Sequence, residues 1–274
     1  MGRIERQPLD FAPVEQIEAV QLKLLQRHLS DLQQASPYYR ELFRQQGIAA
    51  GQFNELTDLP LTGKAELCRH NREFLAVAEE RVVDICQTSG TTGEPVTIWQ
   101  TEADLQRLAR NEQLAFTAAG VQSGDRVLIG AALDRVFMAG LAYFLGLRNI
   151  GATAIRAGSG QPALVAELIR RQRPNVLVGV PSLLLAIARQ LEAAGQQPAA
   201  LGVDKLICIG EPVREQDLSL STLGCALQQS WQAQVLSTYA STEVATAFAD
   251  CTAGCGGHLL PDLAILELLD TQGQ

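Results

Sequence analysis

The feature that most constrains this chain is an alternation between residues 126 and 209. Short apolar runs at Arg126–Ala131, Ala152–Arg156, Val176–Val180 and Lys205–Ile209 alternate with longer segments of helical character. Those segments are Val136–Leu147, Pro162–Arg171 and a stretch from Pro181 to about Ala194. Short strands joined through helices by few residues build βαβ units, and such units form a mostly parallel sheet flanked by helices. Ligands of these sheets gather beyond the carboxyl ends of the strands. The loops that follow the apolar runs are therefore where function is expected.

The flanking segments extend this α/β reading. Val14, Ile17, Leu24, Leu25, Leu29 and Leu32 recur at roughly helical spacing, so the first 80 or so residues are read as a helical N-terminal region. Ser36-Pro37 breaks that run and starts a second helix, and Thr62 after Pro60-Leu61 is an expected N-cap. Residues 81–274 are read as the α/β domain. Val83–Cys86 begins it as a strand, and Thr101–Asp104 has capping-box spacing ahead of a helix to about Ala119. Val136–Leu147 is apolar all round and should be a buried helix. A helix is expected over Glu215–Gln229, and strands over Val235–Tyr239, Ala245–Ala249 and Leu263–Leu269. His28 and His70 are read as surface residues, and Trp99 and Trp231 as packing residues.

Composition narrows the partners. A net charge of −8 in 274 residues does not favour a polyanion, so nucleic acid is not an expected partner. Small anions remain open, because backbone N–H groups bind them without net positive charge. The first residues lead into no apolar run, and the longest apolar stretch is too short for a bilayer, which takes ~20 residues. The six cysteines are scattered and do not form a small disulfide scaffold. The expected setting is the cytoplasm, with reduced thiols and no membrane.

Three loops carry candidate chemistry. Thr88-Ser89-Gly90-Thr91-Thr92-Gly93-Glu94-Pro95-Val96 follows a strand and gathers four hydroxyls and two glycines. Glycine opens backbone conformations closed to other residues, and the hydroxyls and N–H groups suit the oxygens of a triphosphate. It is not a Walker loop, since no Lys follows Gly93. Gly210-Glu211-Pro212 follows a strand and alone is a common turn. Tyr239-Ala240-Ser241-Thr242-Glu243 ends in a carboxylate, a hard oxygen ligand suited to Mg²⁺. A fourth cluster, Cys251, Cys255 and His258, has thiols and an imidazole that suit tetrahedral Zn²⁺, with a fourth ligand missing locally. Its competing reading is a buried cysteine pair beside a polar turn.

Thr88–Pro95 resembles the phosphate-binding signature of the adenylate-forming superfamily of acyl-CoA synthetases, luciferases and peptide-synthetase adenylation domains. Val96 stands where many members carry Lys, a departure similar to the phenylacetate–CoA ligase branch. Ser36–Phe43 and Leu59–Lys64 also resemble that branch. The resemblance implies that Thr88, Ser89, Gly90, Thr91, Thr92 and Gly93 hold ATP phosphates and that Gly210, Glu211 and Pro212 lie along the adenine. It implies that Tyr239 stacks on that ring beside Ala240 and Ser241, that Thr242 bonds the α-phosphate, and that Glu243 holds Mg²⁺. Thr242 and Glu243 are the catalytic candidates. Ala240 departs from the family's Gly and requires a backbone φ below zero. Some relatives also have a similar Cys and Gly-x-His arrangement near Cys251–His258.

By the same resemblance the reaction joins a carboxylic acid, with an aryl acid as a candidate, to CoA through an acyl-adenylate made from ATP, and AMP is released. One face of the apolar helix would lie near the acyl pocket, with Asp134 and Arg135 as candidate substrate contacts. The family's ribose-binding Asp, its hinge and its small C-terminal domain with a catalytic Lys have no counterpart in these residues. The expectation is thus an N-terminal portion of such a ligase, inactive or weak by itself. The alternative is a truncated module that binds nucleotide or acyl-adenylate without turnover.

Overall fold

The computed structural model describes residues 9, 11–49, 56–88, 90, 94–268 and 270. The chain divides into two compact units, one of Met1–Glu102 with Leu260–Gln274 and one of Ala103–Leu259. Among the described residues no helix is long and apolar enough to cross a membrane.

In the first unit, α1 (Val14–Ala35) and α2 (Pro37–Gln46) meet at Ser36. The fully buried Ser36 hydroxyl accepts from Tyr39 N–H at 3.4 Å and donates to Glu73 O at 3.0 Å. Pro37 suits the first helical position, whose N–H has no intrahelical partner. Leu29 and Phe43 form a small core joined by Leu25, Tyr39, Ile48 and Leu59. Val14 and Leu24, expected on the same face, are exposed. The inward stripe instead follows Ile17, Gln21, Leu25 and Leu29, four residues apart. The short α3 (Lys64–Arg69) begins one residue later than expected, with Gly63 at its N-cap. There Glu66, not Thr62, accepts from the Gly63 N–H, at 3.0 Å. Strands β1 (Val82–Gln87) and β2 (Thr97–Thr101) form a separate two-stranded antiparallel sheet. Trp99, within β2, donates to Asn71 Oδ1 at 2.9 Å.

The second unit holds the α/β layers. Its strands are β3 (Arg126–Ile129), β4 (Thr153–Arg156), β5 (Val176–Gly179), β6 (Lys205–Ile209), β7 (Gln234–Ser241), β8 (Thr246–Asp250) and β9 (Gly257–His258). They form one sheet in the order β4-β3-β5-β6-β7-β8-β9. Pairing is parallel from β4 to β7 and antiparallel from β7 to β9. The helices are α4 (Glu102–Ala118), α5 (Met138–Ile150), α6 (Pro162–Gln172), α7 (Pro181–Ala193) and α8 (Thr222–Trp231). The two sheet faces follow strand alternation. Leu128, Leu177, Leu206, Cys208 and Val235 share a core with α6, α7 and α8. Ile207, Ile209 and Leu236 face Phe116 of α4 and Tyr143 of α5. Burial on both faces explains why these strands read as unbroken apolar runs. Trp231 is fully buried, and its indole N–H donates to Leu184 O at 3.3 Å, tying α8 to α7.

Several elements differ from the sequence expectation. The apolar helix starts at Met138, because Arg135 and Val136 adopt left-handed φ values of 57° and 53°. Helix α8 starts at Thr222 instead of Glu215. Residues 214–220 fold back on themselves, with Glu215 N–H bonded to Ser219 O, Leu218 at φ 67°, and Asp217 accepting from Ser219. Ser221 then provides the N-cap, accepting from Gly224 N–H at 3.2 Å. No strand forms over Leu263–Leu268, where Leu266 and Leu268 are exposed; Leu269 lies outside the described residues. The final strand is β9 instead, short and paired with β8.

Candidate functional site

The Gly/Thr loop joins β1 to β2. Thr88 closes its base: its N–H donates to Val96 O at 3.0 Å, and its buried hydroxyl accepts from Val96 N–H at 2.9 Å. Gly90 sits at φ 68°, a left-handed conformation that favours glycine. Ser89, Thr91, Thr92 and Gly93 lie outside the described residues. The loop thus follows a strand as expected, but its strands belong to the antiparallel pair of the first unit, not to the parallel sheet.

In the second unit two expected loops come together. Strands β6 and β7 are parallel neighbours, and Ile209 is in register with Thr238. Gly210 and Tyr239 therefore leave the same carboxyl edge side by side, about one strand spacing of ~4.8 Å apart. Gly210 turns the chain at φ 78°. The Glu211 carboxylate accepts from Ser182 N–H at 2.9 Å and from Ser182 Oγ at 2.8 Å. It thereby serves the amino end of α7, whose N-cap Val180 has no side-chain hydrogen bond. A carboxylate there also complements the helix dipole. Glu211→Ala should lower stability by about 1 kcal/mol, read as a shift in the urea unfolding midpoint. An unchanged midpoint would show that the bridge contributes nothing.

Tyr239 presents a ring 70% exposed, set edge-on to Phe248 at 6.0 Å. Ala240 pairs with Ala247 as ordinary strand and is not among the residues of positive φ. Its Cβ is accommodated without backbone strain. Thr242 and Glu243 lie in the turn between β7 and β8. Glu243 is exposed and accepts from Ser241 Oγ at 3.0 Å, and Thr242 O accepts from Ala245 N–H at 3.3 Å. The Glu243 carboxylate and the Ser241 hydroxyl beside it are hard oxygen donors of the kind that fit Mg²⁺. Arg107 of α4 holds the turn from behind through Val244 O, at 3.5 Å.

Two buried polar groups beneath this turn escaped the sequence reading. Arg214 and Asp250 pair at 2.7 Å, and Asp250 also accepts from Ser237 N–H of β7 at 2.9 Å. On α4, Asn111 and Glu112 are buried, with Asn111 donating to Glu112 Oε1 at 3.1 Å and accepting from Thr246 Oγ1 at 3.0 Å. Burial pushes the Glu112 carboxyl up to about 7, and the Asn111 bond opposes this. Burial, then the nearby Glu112 charge, raises the Tyr143 phenol well above its usual range. A signal for Glu112 existed: it lies four residues from both Leu108 and Phe116, on the inward stripe of α4.

The Cys/His cluster does not assemble. Among the described residues no group of three or more His, Cys, Asp or Glu side chains is placed to hold a metal. Cys255 is exposed and donates to Ala253 O at 3.3 Å, while His258 is carried into β9 opposite Ala249. Compact spacing failed as a guide because the segment is fixed by its backbone: Thr252 N–H bonds Ala118 O, and Gly254 and Gly256 turn the chain at positive φ. In this arrangement Cys251, Cys255 and His258 are not gathered as a group of three metal donors.

Comparison with known proteins follows the same lines. The protein-family model described as AMP-binding enzyme matches residues 14–273. A phenylacetate-coenzyme A ligase of Escherichia coli is 33% identical over 190 residues, covering 68% of this chain and 43% of that protein. One of Thermus thermophilus is 30% identical over 211 residues, covering 76% of this chain and 47% of its own length. The chain thus spans less than half the length of these relatives. Among solved structures, 2-hydroxyisobutyryl-CoA ligase in the postadenylation state with 2-HIB-AMP superposes with a TM-score of 0.77 at 18% identity. That match covers 92% of this chain and 57% of that one, and it shows a shared fold.

Proposed function

The chain belongs to the AMP-binding enzyme family, and from that membership we propose that it carries the nucleotide-binding residues of an AMP-forming acid–CoA ligase. The observation that supports this most is the pairing of the Gly210 turn with the Tyr239–Glu243 turn at the carboxyl ends of adjacent parallel strands. An exposed aromatic ring beside a glycine turn offers a flat slot for adenine. The substrate acid is proposed to be an aryl acid, because the similar curated proteins are phenylacetate ligases.

In the proposed reaction the acid's carboxylate attacks the α-phosphorus of ATP, and pyrophosphate leaves with the electron pair of the broken P–O bond. The thiolate of CoA then attacks the acyl carbonyl of the adenylate, and AMP leaves. The chain's part in this is positioning and charge stabilisation. Tyr239 stacks on adenine along Gly210, Glu211 and Pro212, while the Thr242 hydroxyl donates to the α-phosphate. The Thr88–Gly93 loop holds the outer phosphates, a role that rests on its sequence. Glu243, with the neighbouring Ser241 hydroxyl, would hold Mg²⁺, which would offset phosphate charge.

The test is calorimetric titration of ATP with and without Mg²⁺, for the wild type and Glu243→Gln. The wild type should bind ATP more tightly with the metal, and the variant should lose about tenfold or more of that gain, the scale on which even outer-shell partners affect metal affinity. AMP should bind both proteins alike. A chain that binds no adenine nucleotide sinks the proposal, and a variant with the full Mg²⁺ effect removes Glu243 from the metal site. Because an N-terminal portion is itself expected to be inactive or weak, the non-catalytic alternative is favoured only if a longer form of the protein also binds nucleotide without releasing pyrophosphate from any aryl acid.

A further inference from the structure

The turn between β7 and β8 is supported from a single helix. Arg107 and Asn111 are four residues apart on α4 and so share one face of it. Arg107 reaches Val244 O at 3.5 Å, and Asn111 Oδ1 accepts from Thr246 Oγ1 at 3.0 Å. The first contact is long and exposed. The second is buried, with Asn111 1% and Thr246 4% exposed. Water does not compete for such a bond, and losing one partner leaves the other unpaired.

The residue between these two contacts is strained. Ala245 is buried and takes a φ of 47°, a left-handed conformation that costs energy for any residue with a Cβ. Strain of this kind persists only where the surroundings over-determine it. Here the neighbours on both sides, Val244 and Thr246, are tied to α4. That helix is fixed in turn. A Cβ on Gly146 of α5 would meet Glu112 Cβ at 2.5 Å and the Gln113 backbone nitrogen at 2.9 Å, so α4 has no room to shift towards α5. Asn111 Nδ2 also donates to Glu112 Oε1 at 3.1 Å, which fixes the orientation of the amide.

Ala245 lies two residues after Glu243. Its N–H closes the turn onto Thr242 O at 3.3 Å. Thr246 pairs with Ser241 across the hairpin, and the Ser241 hydroxyl donates to Glu243 Oε2 at 3.0 Å. Ala245 and Thr246 therefore set the base from which the Glu243 carboxylate projects. We infer that Asn111 and Thr246 are positioning residues for the metal: their buried hydrogen bond holds Ala245 left-handed and keeps Glu243 aimed at Mg²⁺. This inference rests on the proposed role of Glu243. Valine would suit a buried strand position as well as threonine does, so the hydroxyl is the group to test.

The experiment is calorimetric titration of ATP with and without Mg²⁺, and of AMP, for the wild type, Glu243→Gln, Thr246→Val, Thr246→Ser and Ser221→Ala. Valine keeps the shape of threonine without the hydroxyl, and serine keeps the hydroxyl without the methyl. Ser221→Ala removes the cap of α8 and lowers stability without touching the turn. Thermal midpoints report folding, and Thr246→Ala carries the same expectation should the valine variant not fold. Thr246→Val should lose about tenfold of the Mg²⁺ gain in ATP affinity, the scale for groups that support a metal ligand, and bind AMP within twofold of wild type. Thr246→Ser and Ser221→Ala should keep the gain within twofold. A gain in Thr246→Val within twofold of wild type, while Glu243→Gln has lost it, overturns the inference alone. So does an equal loss in Thr246→Ser, which assigns the effect to methyl packing, or in Ser221→Ala, which assigns it to stability. A parallel loss of AMP binding in Thr246→Val overturns it too, since the damage would not be confined to the metal. A full gain in Glu243→Gln fails the metal reading itself, and the inference with it.

Discussion

Replacing Asp250 by Ala is expected to lower the unfolding free energy by about 3–5 kcal/mol, the usual cost of breaking a buried ion pair from one side. The Asp250 side chain is 1% exposed and that of Arg214 14%. Arg214 Nε donates to Asp250 Oδ2 at 2.8 Å, and its other nitrogens donate to Leu218 O at 2.9 Å and Val235 O at 3.4 Å. Removing the carboxylate strands a guanidinium in a poorly solvated site and leaves the Ser237 N–H without this acceptor. Both effects act on the segments that present the Gly210 and Tyr239–Glu243 turns, since Arg214 follows Pro212 and Asp250 pins β7 against β8. The measurement is urea unfolding followed by the fluorescence of buried Trp231. The double variant Arg214→Met/Asp250→Ala should recover about half of the loss or more, because it removes the stranded charge. A cost under about 1 kcal/mol for the single variant, the range of exposed pairs, would mean that water reaches this pair.

The parallel sheet was legible because its strands are buried on both faces and so announce themselves as apolar runs between helices. Lys205–Ile209 was read with its observed boundaries, and Val176–Val180 ran over by one residue. The boundaries that failed depended on local hydrogen bonds that periodicity does not encode. The start of α8 is set by the Ser221 cap and by the turn around Asp217, although 215–221 has no helix-breaking proline or glycine. The Leu263–Leu268 segment has strand-like composition and no strand partner among the described residues. At the site, Gly210 and the Tyr239–Glu243 turn were found through the order of their motifs, and only the β6–β7 register shows them side by side. Glu211 was assigned to the ligand side of its turn, while its carboxylate is engaged with Ser182 of α7.

Glu112 should make stability fall as pH rises from about 4.5 to about 7. In the folded chain burial holds this carboxyl at about 7, above its ordinary value of 4.5. Between those values the unfolded chain releases the proton and the folded chain keeps it, so unfolding becomes progressively more favourable. The contribution is complete below the unfolded value and gone once pH passes the folded one. At ~1.4 kcal/mol per pH unit the interval corresponds to roughly 3 kcal/mol. Relaxation around the charged form, or water entering beside Tyr143 and Thr238, would reduce it. Glu112→Gln keeps the acceptor used by Asn111 and removes the titration. The variant should therefore be more stable than wild type at pH 8, and the difference should shrink towards pH 4.5. Gly146 of α5 packs so closely that a Cβ there would meet Glu112 Cβ at 2.5 Å, which leaves little room for Glu112 to swing out to solvent. The measurement is the free energy of urea unfolding at a series of pH values for both proteins. Parallel profiles, with a constant difference from pH 4.5 to 8, would show that Glu112 ionises in the folded chain at its ordinary value.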